Sequence, residues 1–277
     1  MNHRKKLWIN PVLEKEIRLR MRSMRSPIAI FAYLLAIGLL ALGFAYINIG
    51  GASNALSASK SSELFYFLSG VQLVLISFMT PGLTAGTISG EREKQTLNML
   101  LTTQQSSGTI ILSKLLASLG FMLLTVLATM PLYSIVFLYG GVSPWQLIAI
   151  FVFYLFVMLT IGSAGIFFST MFKKTVISVI TTYGFVLVIF GFTALAGLFF
   201  GELVGGGMNE EVLGYFLSFN PMVVLLSLMI PDLAKEFFHN HPTLQMWHIF
   251  TAFYALLSVL LLVLSVRYLR PVLRRRK

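Results

Sequence analysis

A run of four alternating charges, Glu91-Arg92-Glu93-Lys94, interrupts an otherwise apolar part of the chain. After Thr96 it is followed by Leu97, Leu100 and Leu101, which repeat at helical spacing over a stretch too short to cross a bilayer. A helix of this kind can lie along a membrane surface with its leucines against the protein. Its charged end is then available for charge-assisted hydrogen bonds to a second protein.

A candidate serine nucleophile occurs in the segment Ile161-Gly162-Ser163-Ala164-Gly165. Ile161 stands where the Gly-x-Ser-x-Gly motif requires glycine, and the base candidate nearest in depth, His248, is expected at the outer start of the last span. Small residues in membrane helices ordinarily let neighbouring helices approach closely. The sequence therefore favours a packing role for this serine and its two glycines over an intramembrane enzyme.

A candidate metal site is formed by His239 and His241 with Asp232 and Glu236, because imidazole and carboxylate groups are metal ligands. Their spacing matches no metal-binding pattern such as His-Glu-x-x-His. The segment is interpreted as a solvated loop, and no metal is expected.

The composition indicates an all-α integral membrane protein. Of the 277 residues, 57% are hydrophobic and 11% are charged, and mean hydropathy is +0.83, whereas about a quarter of a soluble domain is charged. The net charge of +11 does not indicate nucleic-acid binding, because the basic residues flank the apolar runs and are explained by membrane topology. The absence of cysteine excludes disulfides and thiolate chemistry.

Six uncharged or nearly uncharged runs are long enough to cross a membrane, and they occupy residues 27–49, 64–90, 115–139, 145–172, 175–201 and 237–266. The turn-forming residues 140–144 separate the third run from the fourth. A seventh apolar stretch, 212–231, is interrupted by Asn220 and Pro221, which leaves two pieces too short to cross. One membrane domain, 1–277, accounts for the whole chain.

The distribution of basic residues favours six spans with both termini in the cytoplasm. In that topology every lysine and arginine except Lys60 and Lys235 lies on the cytoplasmic side. A seventh span would place the basic C-terminus outside. Residues 202–236 are therefore predicted to form an outer re-entrant or interfacial helical hairpin, broken at Asn220 and Pro221.

An amphipathic helix is predicted over residues 10–25, with Asn10 as N-cap and proline at the first helical position. Glu14 with Arg18 and Glu16 with Arg20 are correctly oriented i, i+4 pairs on this helix. A basic amphipathic helix can lie on anionic lipid, and docking to a cytoplasmic partner is a second role left open.

These features together resemble the permease subunits of type-2 ABC transporters. Residues 91–103, Glu-Arg-Glu-Lys-Gln-Thr-Leu-Asn-Met-Leu-Leu-Thr-Thr, are similar to that family's usual pattern Glu-Arg-Glu-x-Gly-Thr-Leu-Glu-Leu-Leu-Leu-x-Thr-Pro. Gln95 stands where the pattern has glycine, and Gln104 where proline is common. The resemblance covers the whole chain, from the N-terminal helix through six spans to the broken hairpin before the last one.

The resemblance implies that a cytoplasmic ABC ATPase subunit grips the loop 90–104 and that the permease exports its cargo. The implied coupling residues are Glu91, Arg92, Glu93, Lys94, Thr96, Leu97, Leu100 and Leu101. ATP and Mg are expected in the ATPase and no cofactor in this chain, which has no Gly-x-x-x-x-Gly-Lys-Ser/Thr motif. A second permease subunit and a location in the bacterial cytoplasmic membrane are also implied.

An ion-coupled secondary carrier is the main alternative function. Such carriers typically hold the coupling ion with acidic or histidine side chains inside the membrane, and the interiors of the assigned spans contain no Asp or Glu. Unwound backbone carbonyls can also coordinate sodium, so the alternative stays open. The 24 Phe and 13 Met residues favour an amphiphilic, lipidic or peptide-like cargo. Trp145 and Trp247 are explained by an aromatic belt at the span ends.

Overall fold

The computed structural model describes residues 11–49, 58–97, 105–203, 210–230, 232–233, 237 and 245–269. Within these residues the fold is all-α. The helices are α1 (Pro11–Arg22), α2 (Arg25–Ile49), α3 (Ala58–Thr84), α4 (Ser89–Glu93), α5 (Ser107–Leu127), α6 (Met130–Tyr139), α7 (Pro144–Met171), α8 (Thr175–Leu187), α9 (Thr193–Leu203), α10 (Glu210–Leu217), α11 (Pro221–Met229) and α12 (Met246–Leu269), with a π-helix, Val188–Phe192, between α8 and α9.

Six helical stretches in this part of the chain are long and apolar enough to cross a membrane, which confirms the predicted class and span count. Spans 1 to 6 are Ser26–Ile47, Ser59–Glu93, Ser107–Ser134, Pro144–Met171, Thr175–Phe200 and Met246–Leu269. The helices α10 and α11, with 8 and 9 residues, are each too short to cross.

The predicted start of span 3 at residue 115 is wrong, because the helix already begins at Ser107 and includes Lys114. The Ser106 side chain caps this helix by accepting a hydrogen bond from the Thr109 backbone N–H at 3.2 Å. Span 3 is divided at Ala128 and Thr129, and Pro131 follows in the first turn of α6. The predicted turn between spans 3 and 4 is confirmed by Gly140 and Gly141, which have φ of +76° and +95°.

Spans 2, 3 and 4 form the interior of the bundle. In their most apolar stretches 56%, 61% and 56% of residues are buried, against 11% in spans 1 and 5. Large side chains such as Phe65, Tyr133, Tyr154 and Phe250 fill the core. The core of the described residues is therefore built around spans 2, 3 and 4.

The small residues of span 4 permit close helix contact, as their sequence pattern predicted. A Cβ atom on Gly165 would collide with the side chain of Thr84 in span 2, and one on Gly162 would lie 3.1 Å from Leu115 in span 3. Ser163 is fully buried, and its hydroxyl donates to the Thr160 carbonyl at 2.8 Å. This serine is thus engaged with its own helix in the middle of a packing interface.

Candidate functional site

The charged loop follows the point at which the regular helix of span 2 ends. The regular helix stops at Thr84, and the backbone N–H groups of Ile88 and Ser89 donate to Ser169 Oγ of span 4 at 2.9 and 3.0 Å. The Ser178 hydroxyl of span 5 donates to the Ala85 carbonyl at 2.7 Å. Spans 4 and 5 therefore satisfy the backbone groups that the broken helix leaves free.

The charged residues themselves form the short helix α4, which ends in a Schellman motif. The backbone N–H of Thr96 donates to the Glu91 carbonyl at 2.9 Å, and that of Gln95 donates to the Arg92 carbonyl at 3.1 Å. Gln95 has φ of +59°, in the left-handed region that favours glycine. The position where the type-2 pattern has glycine is thus the position where this chain turns.

Glu91 belongs to a buried ion cluster that joins three elements. Lys114 Nζ of span 3 lies 2.6 Å from Glu91 Oε1 and 2.9 Å from Glu16 Oε1 of α1. The Lys114 side chain is 2% exposed, and those of Glu16 and Glu91 are 19% and 25% exposed. Because a buried ammonium needs compensating charge, Lys114 holds α1 and the loop against span 3.

The helix α1 makes a second polar contact with the bundle through Arg20. Its guanidinium donates to Ser118 Oγ at 2.8 Å and to the Leu83 carbonyl at 3.2 Å. Burial lowers the pKa of Arg20, and the nearby Glu16 carboxylate opposes that shift. The predicted Glu14–Arg18 pair is present at 2.9 Å, whereas Glu16 and Arg20 each bond to the bundle instead of to one another.

Arg92 contacts the end of span 4. Its two guanidinium nitrogens, Nη1 and Nη2, donate to the carbonyls of Phe172 and Thr170 at 3.1 and 3.0 Å. These carbonyls lie at the C-terminal end of a helix, where the macrodipole also favours a positive charge. Arg92 therefore caps span 4 from the loop.

Glu93 contacts the start of span 5. Its two carboxylate oxygens accept from the backbone N–H of Thr175 at 2.9 Å and from the Thr175 hydroxyl at 2.7 Å. An acidic group at a helix N-terminus satisfies free N–H groups and is favoured by the dipole. Glu91, Arg92 and Glu93 thus bond to spans 3, 4 and 5, and each has a partner within this chain.

The remaining predicted coupling residues divide into exposed and buried positions. Lys94, Gln95 and Thr96 are exposed, and they form the part of the loop that is open to another protein. Leu97 is 6% exposed and packs in a cluster with Ile88 and Ile111. Leu100 and Leu101 lie outside the described residues.

At the hairpin break, Asn220 forms hydrogen bonds to span 5. Asn220 is 1% exposed, and its Oδ1 accepts from the Met222 backbone N–H at 2.8 Å as an N-cap. Its Nδ2 donates to the Phe190 carbonyl at 2.8 Å and to Thr193 Oγ1 at 2.9 Å. Phe190 lies in the π-helix, whose wider turns alter the backbone hydrogen bonding of the span. Pro221 occupies the first helical position of α11, where its missing N–H is harmless.

The sequence interpretation did not give Lys114 a role, although a signal was present. Lys114 is the sole charged residue between Lys94 and Lys173, and a lone lysine within a span implies an acidic partner. The π-helix of span 5 had no comparable sequence signal. Ser169 and Ser178 were also missed, because buried serines are common in membrane helices.

The metal-site candidates lie mostly beyond the structural description. His239, His241 and Glu236 are outside the described residues, while Asp232 is exposed. Among the residues that are described, no three His, Cys, Asp or Glu side chains are grouped as metal ligands would be.

Comparison with known proteins agrees with the geometry of the chain. A sequence model of the family described as "ABC-2 family transporter protein" matches residues 10–272, which includes α1, all six spans, the charged loop and the hairpin. A comparison with curated proteins found no match. On the strength of a family match over nearly its whole length, the chain belongs to the ABC-2 transporter family and is a multi-pass permease subunit.

Proposed function

We propose that this permease exports an amphiphilic, lipidic or peptide-like compound across the bacterial cytoplasmic membrane, driven by ATP that separate ABC ATPase subunits hydrolyse. ATP and Mg then bind in the ATPase, and no cofactor is required in this chain. One observation carries the proposal: three charged side chains of the loop 90–104 bond to spans 3, 4 and 5, and Lys114, the partner of Glu91, also bonds to Glu16 of α1.

The bonding pattern supports a role for the loop in transmitting force. Charge-assisted hydrogen bonds are roughly twice as strong as neutral ones, and removing one partner of a buried ion pair costs about 3–5 kcal/mol. A displacement of the loop must therefore either break these bonds or move the helices that they join. Movement of α1 with spans 3, 4 and 5 is the expected response to a push from the ATPase.

The exposed segment Lys94–Thr96 is the part of the loop that we assign to direct ATPase contact. Its three residues are exposed, whereas Glu91, Arg92 and Glu93 bond to the spans that the loop packs against. The proposed roles are thus divided: Glu91, Arg92 and Glu93 position the loop, and Lys94 and the residues beside it contact the ATPase. Leu97, Leu100 and Leu101 are assigned to holding it against the bundle.

Two further parts of the proposal concern assembly and topology. Spans 1 and 5 are only 11% buried, which supports a second permease subunit, identical or homologous, against them. Both termini are placed in the cytoplasm because of the basic residues. The helix α1 is assigned to the lipid surface on its exposed side and to span 3 through Glu16 and Arg20.

Co-purification tests the partner. The permease, expressed in its native membrane and solubilised in detergent, is expected to bring down an ABC ATPase subunit in a complex with the mass of two permeases and two ATPases. A stable monomer that transports without nucleotide would refute the proposal and favour the ion-coupled carrier.

Loop variants test the coupling assignment. Glu91→Ala with Glu93→Ala is expected to leave membrane insertion intact, because Lys114 keeps its ion pair with Glu16. The double variant is expected to lower ATP-driven efflux, because the loop loses its bonds to spans 3 and 5. Lys94→Glu is the matched surface variant, since it breaks none of those bonds and is expected to weaken ATPase binding. If the double variant keeps full efflux and full ATPase stimulation, the role given to Glu91 and Glu93 is wrong.

A further inference from the structure

A pocket of about 630 Å³ lies between spans 4 and 6, at the end of the bundle opposite to the charged loop. Ala149, Val152 and Phe156 of span 4 form one wall, and Leu228 and Met229 at the end of α11 contribute another. Below it the two spans are in contact, with the Phe156 and Phe250 ring centroids 5.9 Å apart. The spans therefore meet at the pocket floor and separate above it.

The depth of this pocket corresponds to one leaflet of a bilayer. Its lining extends along span 4 from Trp145 to Phe156. At 1.5 Å rise per residue this stretch is about 16 Å long, roughly half of a ~30 Å hydrocarbon core. A chain that entered from the near membrane surface and reached the floor would end close to the bilayer midplane.

The chemistry of the lining changes from mouth to floor. The lining contains no charged residue, and its deep part is aliphatic and aromatic except for Thr251, whose hydroxyl donates to the Trp247 carbonyl at 2.8 Å. The polar groups, which include Ser143, Gln146 and Gln245, are near the first turns of the two spans, where Trp145 is 76% exposed. The Trp247 indole N–H donates to Gln245 Oε1, which fixes this side of the mouth. Amide and hydroxyl groups above an uncharged shaft match the ester region and acyl chain of a lipid.

We propose that this pocket binds one acyl chain of a phospholipid from the outer leaflet. The assignment to the outer leaflet rests on the proposed topology, but lipid binding does not depend on ATP or on any cargo. The two tryptophans then serve as walls of a binding site in addition to marking the membrane surface. Since lipid tails gain no hydrophobic energy by leaving the bilayer, selectivity must come from the fit of the shaft and the hydrogen bonds at its mouth.

Quenching of tryptophan fluorescence by brominated lipid tests this proposal in the full chain. Trp8→Phe with Trp145→Phe leaves Trp247 as the reporter in the pocket wall. A phospholipid with bromine atoms on its acyl chains is added to the protein in detergent micelles. Quenching is expected to saturate at about one lipid per chain.

A pair of alanine variants locates the binding. In the same background, Ala149→Phe puts a ring into the pocket. It is expected to raise the dissociation constant of the lipid at least about five-fold. Ala252→Phe is the control, because Ala252 is exposed on span 6 and does not line the pocket. If Ala149→Phe is not recovered as folded protein, Val152→Phe replaces it, since Val152 is 59% exposed.

Three outcomes would overturn the proposal. Quenching that rises linearly with lipid, equally in both variants, means that only bulk lipid reaches Trp247. Saturable quenching that survives both Ala149→Phe and Val152→Phe places the lipid elsewhere. A change of oligomeric state by light scattering on Ala149→Phe, without saturable quenching in the parent chain, assigns the pocket to an interface with a second copy.

Discussion

Lys114 shows how a single buried charge organises the charged loop 90–104. Its ammonium is shared between Glu91 of the loop and Glu16 of α1, so two segments distant in sequence depend on one side chain. Arg92 and Glu93 extend this arrangement to the facing ends of spans 4 and 5. The charged residues for which the sequence predicted contact with a partner protein thus also fix the position of the loop within this chain.

Gln95→Gly is expected to stabilise the loop. Gln95 has φ of +59°, and a left-handed backbone costs a non-glycine residue roughly 1–2 kcal/mol, while glycine adds about 0.5–1 kcal/mol of entropy cost. We expect a net gain of about 0.5–1 kcal/mol, measured by thermal unfolding in detergent and by slower hydrogen exchange of the loop. Thr96→Gly is the control: it removes the hydroxyl bond to the Glu91 carbonyl and relieves no positive φ, so it should destabilise. Equal effects of the two variants would contradict this account.

Span 4 is the element on which the other helices are assembled. It packs on span 2 through Gly165 and on span 3 through Gly162, and its end is held by Arg92. One end of span 4 thus contacts the charged loop, and its other end forms a wall of the pocket.

Gly165→Ala tests the close contact between spans 2 and 4. The added methyl group would collide with Thr84, and overpacking of this kind costs about 1–3 kcal/mol. Lower thermal stability and lower membrane abundance are expected. The matched control is Gly184→Ala in span 5, where no atom lies within 4 Å of the new Cβ and the change should be neutral or stabilise by up to about 1 kcal/mol. A neutral Gly165→Ala would show that the two spans are not in contact at this point.

Substitutions at Asn220 separate its two roles at the hairpin. Asn220→Ala removes the N-cap and both bonds to span 5, for a loss of about 2–3 kcal/mol of stability. Asn220→Asp keeps a capping oxygen but replaces the amide donor that faces the Phe190 carbonyl, so it should also destabilise. Thermal unfolding of both variants is the measurement. If Asn220→Asp is as stable as the parent chain, capping alone explains the residue.

At the scale of the whole molecule, spans 1 and 5 are the least buried of the six spans in the described part of the chain. Spans 1 and 5 contribute little to the core, and exposed apolar side chains such as Leu42 and Leu195 lie along them. In a membrane such surfaces face lipid or a second permease, and the proposed assembly assigns them to the permease.

Cysteine cross-linking in membranes tests that assignment, and the cysteine-free chain makes it direct. Cysteines at Leu42 and Leu195, which are 70% and 66% exposed, are expected to cross-link between copies more efficiently than a cysteine at Leu116, which is 51% exposed on span 3. Preferential cross-linking through Leu116 would move the interface to span 3. Absence of cross-links at all three positions, with a monomeric mass, would remove the second identical copy from the proposal.

The sequence by itself determined the class, the six spans, the helix break at Asn220 and Pro221, and the family. These properties follow from local composition: run lengths set the spans, Asn220 and Pro221 break and restart a helix, and the residues 91–103 carry the family pattern. The same local rule misplaced the start of span 3, because a lysine was treated as a boundary when it is a buried, paired residue within the helix.

Only the tertiary structure decided which charges meet. Glu16 and Lys114 are 98 residues apart and Glu93 and Thr175 are 82 apart, so no periodicity within one helix relates them. The same holds for Ser169, which accepts hydrogen bonds from backbone N–H groups at the end of span 2, and for Asn220, which donates to the π-helix of span 5. A buried polar group must find a partner, and the identity of that partner is set by which helix ends the packing of the bundle brings together.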